Sequence, residues 1–195
     1  MTRRPGSAGA GDVDPDDDAG ALGLSRSEVR VSPHHPAWSR LFAEEAARLR
    51  AVLGDVVIDV EHVGSTSVPG LAAKPILDLA ASVPSLADAI ALLPALRRLG
   101  YEHKADPETP ERMYFVKGPP ERRTHHLSLA EPGSGFWRQH LRFRDLLRAD
   151  PGLAAGYERL KLDLADRHPG DRPAYTSGKQ AFVESALRRA EGEDG

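Results

Sequence analysis

The sequence predicts a mixed α/β domain, a sheet flanked by helices with a helical cap at the C-terminal end. Three observations predict it. Short β-branched runs such as VVIDVEHV and ILDLAASV read as strands. Segments with apolar residues at helical spacing lie before and between them. After PGSG, near residue 135, every remaining segment has helical period.

The elements follow in order. Residues 1 to about 27 are rich in Gly, Ala and Asp, with an acidic run at Asp16, Asp17 and Asp18. Their few large apolar side chains cannot offset the entropy of ordering, so a disordered acidic tail is expected, ahead of a single domain over 28–190. EVRVSP alternates and predicts a short edge strand ending at Pro33. Trp38, Phe42, Ala46, Leu49 and Leu53 then recur at helical spacing up to Gly54. DVVIDVEHVG and ILDLAASV are strands on either side of the turn GSTSVPGLAAKP. A helix capped by Ser85 runs to Gly100 and should kink or restart at Pro94. YEHK, RMYFVKG and RTHHLSLAE are three further strands. Three amphipathic helices complete the chain, beginning at Phe136, Gly152 and Arg172.

Composition narrows the function. A chain of 195 residues has room for one domain with a core. Its net charge of −3 supplies no global field for nucleic acid. Cysteine is absent, which excludes disulfides, thiolate metal sites and a cysteine nucleophile. No apolar run approaches the roughly 20 residues of a membrane span, and the N-terminus lacks a secretory apolar core. The expectation is a cytoplasmic protein with no membrane partner.

The stretch VEHVGSTSVPGLAAKPILDLA holds the chemistry. It is not a Walker loop. Gly70 follows Gly64 one residue too late, Leu71 stands where Lys is required, and Pro69 removes an amide donor. A second layout fits better. Gly64 lets the backbone approach an anion, and Ser65, Thr66 and Ser67 supply hydroxyls and amides. Asp78 on the next strand offers hard oxygen to a magnesium ion that bridges phosphate. This layout resembles the nucleotidyltransferase fold of the DNA polymerase β type. That family has a second carboxylate two residues on, where this chain has Ala80. Asp59 and Glu61 share a strand face and are the other carboxylates near the turn. The plain alternative is a ligand-free turn with Lys74 as the charge partner of Asp78.

Other polar groups cluster downstream. His125 and His126 are consecutive strand residues, so they face opposite sides. His126 is the candidate acid–base or ligand group beside Asp78, against a histidine merely hydrogen-bonded in the sheet. Arg123 precedes them. Arg144, Lys161, Tyr175 and Lys179 lie on the C-terminal helices, where basic groups could close over a triphosphate or form a solvated face.

Taken together, VEHVGSTSVPGLAAKPILDL, FVKGPPERRTHHLSL, HLRFRDLLRAD and YERLKLDLADRHPGDRPAYTSGKQAFVESAL resemble the GrpB family, which also occurs fused behind dephospho-CoA kinase. The resemblance runs from about Val29 to Arg189. It implies a nucleotidyltransferase-like fold. The family's patterned positions map here onto Gly64, Ser65, Thr66, Ser67, Lys74, Asp78, Arg123, His126, Arg144, Lys161, Tyr175 and Lys179, with Thr124, His125 and Asp145 beside them. Where the family often has a third histidine on this strand, this chain has Ser128. The functional expectation is a metal-dependent nucleotidyltransferase acting on a nucleoside triphosphate or phosphorylated metabolite. In it Asp78 and His126 are catalytic, with Mg²⁺ on Asp78. The other reading is a nucleotide-binding or folding and interaction module that has lost its acid pair.

Overall fold

The computed structural model describes residues 18–193. A five-stranded mixed sheet forms its centre. The strands are β1 (Asp59–Val63), β2 (Leu77–Ser82), β3 (Tyr101–Lys104), β4 (Arg112–Lys117) and β5 (His125–Ala130). They lie in the order β1-β2-β5-β4-β3. Only the central β2–β5 pair is parallel. The crossover that a parallel pair requires carries the helices between β2 and β3.

One face of the sheet is apolar. Leu77, Leu79, Ala81, Phe115, Leu127 and Leu129 pack with Trp38, Leu49 and Leu53 of the helix Ala37–Leu53. Leu96 of the helix Leu93–Arg98 joins them. As expected, Ser85 caps the crossover helix, accepting from the Ala87 amide. That helix covers Leu86–Ala89, passes through a 3-10 turn, and restarts at Leu93–Arg98 with Pro94 in its first turn. Within this layer Glu45 is fully buried. It accepts from Lys117 Nζ (2.6 Å), Arg48 Nη1 (3.0 Å) and the Tyr101 hydroxyl (3.0 Å).

The opposite face carries Asp78, His126, Ser128, Tyr114 and Arg112, because strand side chains alternate. The helices Gly135–Ala149, Pro151–Arg167, Arg172–Ser177 and Gln180–Glu193 cover this side. Val68, Leu71, Leu147 and Tyr157 form one small core there, and Val29, Leu164 and Tyr175 another. The mixed sheet with flanking helices and a C-terminal cap is therefore the architecture that the sequence predicts. Among the described residues no helix is long and apolar enough to cross a membrane.

Three expectations are corrected. Residues 28–33 form no strand; Ser32 makes a single bridge to Ala73, since Pro33 cannot donate to a ladder. The last helix is two, because Gly178 packs against Leu164 and the chain re-enters a helix only at Gln180. The expected tail does not hold over residues 18–27. Residues 1–17 lie outside the described residues, but Asp18–Ala21 is a short helix, and Ala21, Leu22 and Leu24 are buried. The Trp38 indole donates to Ala21 O at 2.8 Å, and Leu24 exchanges backbone bonds with Arg123. Three apolar residues suffice to dock a segment onto a groove already built by the sheet edge.

Candidate functional site

The glycine turn builds the site. Gly64 leaves β1 at φ +69°, and Ser65–Ser67 form a single 3-10 turn. A Cβ on Gly64 would lie 2.9 Å from Asp78 Cβ and 3.0 Å from its Cγ, so glycine is required by both backbone and contact. Ser67 Oγ donates to Gly64 O at 2.6 Å. Thr66 Oγ1 bonds His62 Nε2 at 3.0 Å, and the His62 ring stacks on Phe42 at 4.5 Å. The Thr66 and Ser67 hydroxyls thus hold the turn itself. Ser65 bonds the Tyr157 hydroxyl and faces the cavities.

Asp78 and His126 are direct neighbours across the parallel pair. His126 Nδ1 lies 2.9 Å from Asp78 Oδ1, and Arg172 Nη2 lies 3.3 Å from His126 Nε2. A guanidinium can only donate, so Nε2 is the acceptor and Nδ1 carries the proton given to Asp78. Burial opposes the charge of Asp78. The hydrogen bond from His126 and the positive groups nearby outweigh it and hold the carboxyl below its ordinary range. Lys74 is not the direct partner of Asp78. His125 faces the other side of the sheet, towards Glu45, and burial lowers it to about 4.

The cap brings cations onto this dyad. A cavity of about 310 Å³ is lined by Ser65, Thr66, Asp78, His126, Lys74, Lys161, Lys179, Tyr175, Arg172 and Arg112, among others. Lys74 Nζ lies 4.0 Å and Lys179 Nζ 4.7 Å from the centre of the Tyr175 ring. Lys161 is 2% exposed and donates to Ala72 O. Burial, then the neighbouring Lys179, lowers Lys74 to about 7; the same two causes lower Lys161 to about 7. Burial lowers Lys179 as well. Five cationic side chains thus face one carboxylate, Asp78, in this cavity.

A second cavity of about 290 Å³ meets the first at Ser65, Asp78, Arg112, Tyr114 and His126. Its walls are largely apolar: Phe136, Phe143, Leu147, Tyr157 and Val183. Arg144 lies on its rim, where it bonds Glu61 Oε2 (2.5 Å), Asp145 and His62 O. Arg123 lies apart from both cavities, buried and bonded to Gly118 O and Glu102.

Three residues around the dyad, Arg112, Arg172 and Tyr114, carry no motif in the sequence. Arg112 bonds Asp106 (2.6 Å) and Ser128 (3.1 Å) and lies 4.4 Å over the Tyr114 ring. Ser128, the position that departs from the family's histidine, therefore orients an arginine. Arg172 follows the helix-starting Asp171 and precedes Pro173, a start signal that would have placed it at a helix N-terminus. Tyr114 shares the strand parity of Arg112, but an aromatic in a strand signals packing first.

These residues do not form a resident metal site. Val63 pairs with Asp78 and Glu61 with Ala80, so Glu61 does share the face of Asp78. Its carboxylate is held by Arg144. One oxygen of Asp78 is held by His126 and the cations around it repel a metal ion. Among the described residues no group of three His, Cys, Asp or Glu could hold a metal.

A family model described as GrpB protein matches residues 28–189. The glutamate-rich protein GrpB of Alkalihalophilus pseudofirmus is 35% identical over 170 residues, covering 85% of this chain and 98% of that protein. The UPF0157 protein YqkA of Bacillus subtilis is 36% identical over 165 residues, covering 85% of this chain and 48% of that protein. A dephospho-CoA kinase of Mycolicibacterium paratuberculosis is 31% identical over 194 residues, covering 86% of this chain and 47% of that protein. The chain thus spans about half the length of these last two relatives. The crystal structure of conserved protein GrpB from Enterococcus faecalis superposes with TM-score 0.77 at 37% identity, over 84% of this chain and 98% of that one. A weak likeness to Cid1 in complex with a UTP analogue, TM-score 0.37 at 13% identity over 68% of this chain and 44% of that one, carries no functional argument. The chain belongs to the GrpB family.

Proposed function

We propose that this protein binds the phosphates of a nucleoside triphosphate, or of a related phosphorylated metabolite, for nucleotidyl or phosphoryl transfer. The observation that carries this reading is the cavity where Lys74, Lys161, Lys179, Arg172 and Arg112 converge with Asp78 as its one carboxylate. Buried amines without a carboxylate partner are costly unless a ligand supplies the opposite charge. The apolar cavity beside it suits the uncharged part of such a ligand. A relative named dephospho-CoA kinase adds CoA precursors to the ligands worth testing.

The dyad supplies acid–base chemistry. Once Arg172 turns from His126 Nε2 (3.3 Å) to the ligand's phosphate, an acceptor hydroxyl gives its proton to that nitrogen as its oxygen bonds phosphorus. The bond to the leaving phosphate breaks, and the lysines meet the charge released. Asp78 stabilises the imidazolium that forms. In this reading any magnesium would travel on the nucleotide's own phosphates, where it would offset part of their charge.

Calorimetry with ATP, GTP and CoA precursors, with and without Mg²⁺, tests the binding. Binding should persist without the metal and weaken at least tenfold in Lys179→Met. Equal binding by this variant and the wild type would overturn the reading. With labelled nucleotide, Asp78→Asn should bind the triphosphate about as well or up to about fivefold tighter, since a repulsive charge is removed. It should lose transfer; undiminished transfer would remove the assigned role of Asp78. The second reading, a non-catalytic binder, is favoured by Ala80 at the position of the second acid. Tight binding with no transfer by the wild type would select it.

A further inference from the structure

Arg123 lies in a third cavity. This space, of about 390 Å³, is on the far side of His126 and Arg172 from the lysines. Arg26, Lys104, Arg112, Arg123 and Arg172 line it, with Asp106 as the carboxylate among the lining residues. Asp106 is already paired with Arg112 at 2.6 Å. Glu102 partly offsets Lys104 (2.5 Å) and Arg123 (3.4 Å). Five cations against two carboxylates leave a positive concavity that opens onto the same imidazole. Arg123 is only 6% exposed; its guanidinium is fixed by Gly118 O and Glu102 where it lines this space.

The segment before the family match completes it. Leu24 N donates to Arg123 O at 3.0 Å, and Arg123 N to Leu24 O at 2.8 Å. Arg26 N donates to Pro120 O at 2.8 Å. These bonds fix Arg26 at the cavity, although it precedes residue 28, where the match begins.

We propose that this cavity is a second oxyanion site, built for the phosphate or carboxylate of an acceptor molecule. Arg26, Lys104 and Arg123 hold the anion, and Arg172 and His126 form the wall shared with the lysine-lined cavity. A donor phosphate on one side and an anionic acceptor on the other would both reach His126. The acceptor role rests on the phosphate-binding reading above; the anion site itself does not.

Titration of the full chain with inorganic pyrophosphate, and separately with malonate, tests the site. Calorimetry should detect two classes of pyrophosphate site. The double variant Arg26→Ala/Lys104→Ala should weaken one class at least tenfold and leave ATP binding unchanged. Lys179→Met should weaken the other class and ATP together. Malonate binding lost in the double variant marks a carboxylate-accepting site; pyrophosphate binding alone lost marks a phosphate site. Pyrophosphate and malonate isotherms identical between the double variant and wild type would overturn the proposal. Arg26→Glu is the confirming variant, since a charge reversal at an exposed position leaves folding intact. Unchanged ATP binding by Lys179→Met would instead count against the phosphate reading, so the two failures are distinct.

Discussion

Gly64 lies against the carboxylate of Asp78, with no room for a side chain between them. The backbone that ends β1 therefore fixes the acid of β2, and the turn and the candidate catalytic group form one unit. Asp78 is in turn held by His126, whose tautomer is set by Arg172.

Gly64→Ala tests this unit. The substitution forces a non-glycine residue to φ +69° and pushes its Cβ into Asp78. Strain of this kind costs about 1–3 kcal/mol. Chemical denaturation should register that loss, together with weakened nucleotide binding as Asp78 is displaced. Gly70→Ala is the control. Its φ is +78°, but nothing lies within 4 Å of the added Cβ. It should cost about 1 kcal/mol from backbone strain alone and leave binding intact.

The lysines predict a pH dependence of opposite sign for stability and for binding. Burial holds Lys74 and Lys161 near 7 in the folded chain, below the ordinary lysine value of 10.5. Between those values the unfolded chain binds more protons than the folded one. The stability of the unliganded protein should therefore rise with pH from about 7 to about 10.5, by up to about 1.4 kcal/mol per unit for each lysine. Phosphate binding favours the charged amines, so affinity should fall as pH rises through 7. Thermal melts and calorimetry across pH 6–10 check both signs (roughly the window around the two values). A phosphate affinity that is flat across that range would refute the linkage.

Glu45 makes the third prediction. It is fully buried beneath the sheet and paired with Lys117 and Arg48. Burial raises its carboxyl, and the Lys117 and Tyr101 bonds and nearby charges outweigh this, so the net shift is downward. A depressed carboxyl contributes stability above its unfolded value of 4.5 and loses it as pH falls through the lower folded value. Lys117→Met leaves the buried charge with less compensation and should destabilise by about 3 kcal/mol. Urea unfolding at pH 7 and pH 4 measures the effect. The variant's deficit should shrink at the lower pH, where protonation relieves the unpaired carboxylate.

Most elements were legible because their signals are local. Trp38, Phe42, Ala46, Leu49 and Leu53 mark their helix by spacing, and Ser85, Pro94 and Gly100 mark the start, restart and end of another. The docked segment at residues 20–24 was not legible. Its composition averages to that of a tail, and contacts far away in the chain order it: burial of Ala21, Leu22 and Leu24, the carbonyl offered to the Trp38 indole, the Gly23 amide given to Pro75 O, and the exchange with Arg123. The break before Gln180 likewise depends on Leu164, fourteen residues before Gly178.

The sequence by itself determined the strand–turn–strand carrying Gly64 and Asp78, the opposed facing of His125 and His126, and the helical C-terminal part. Those depend on alternation, turn chemistry and period, which act within a few residues. Only the tertiary structure decided that Asp78 takes His126 and not Lys74, and that Glu61 belongs to Arg144. It also decided that Thr66 and Ser67 brace the turn, and that Arg172 and Arg112 stand at the site while Arg123 faces a separate cavity. Charge partners are chosen by distance in space. That distance is set by how the cap packs on the sheet, which no local pattern records.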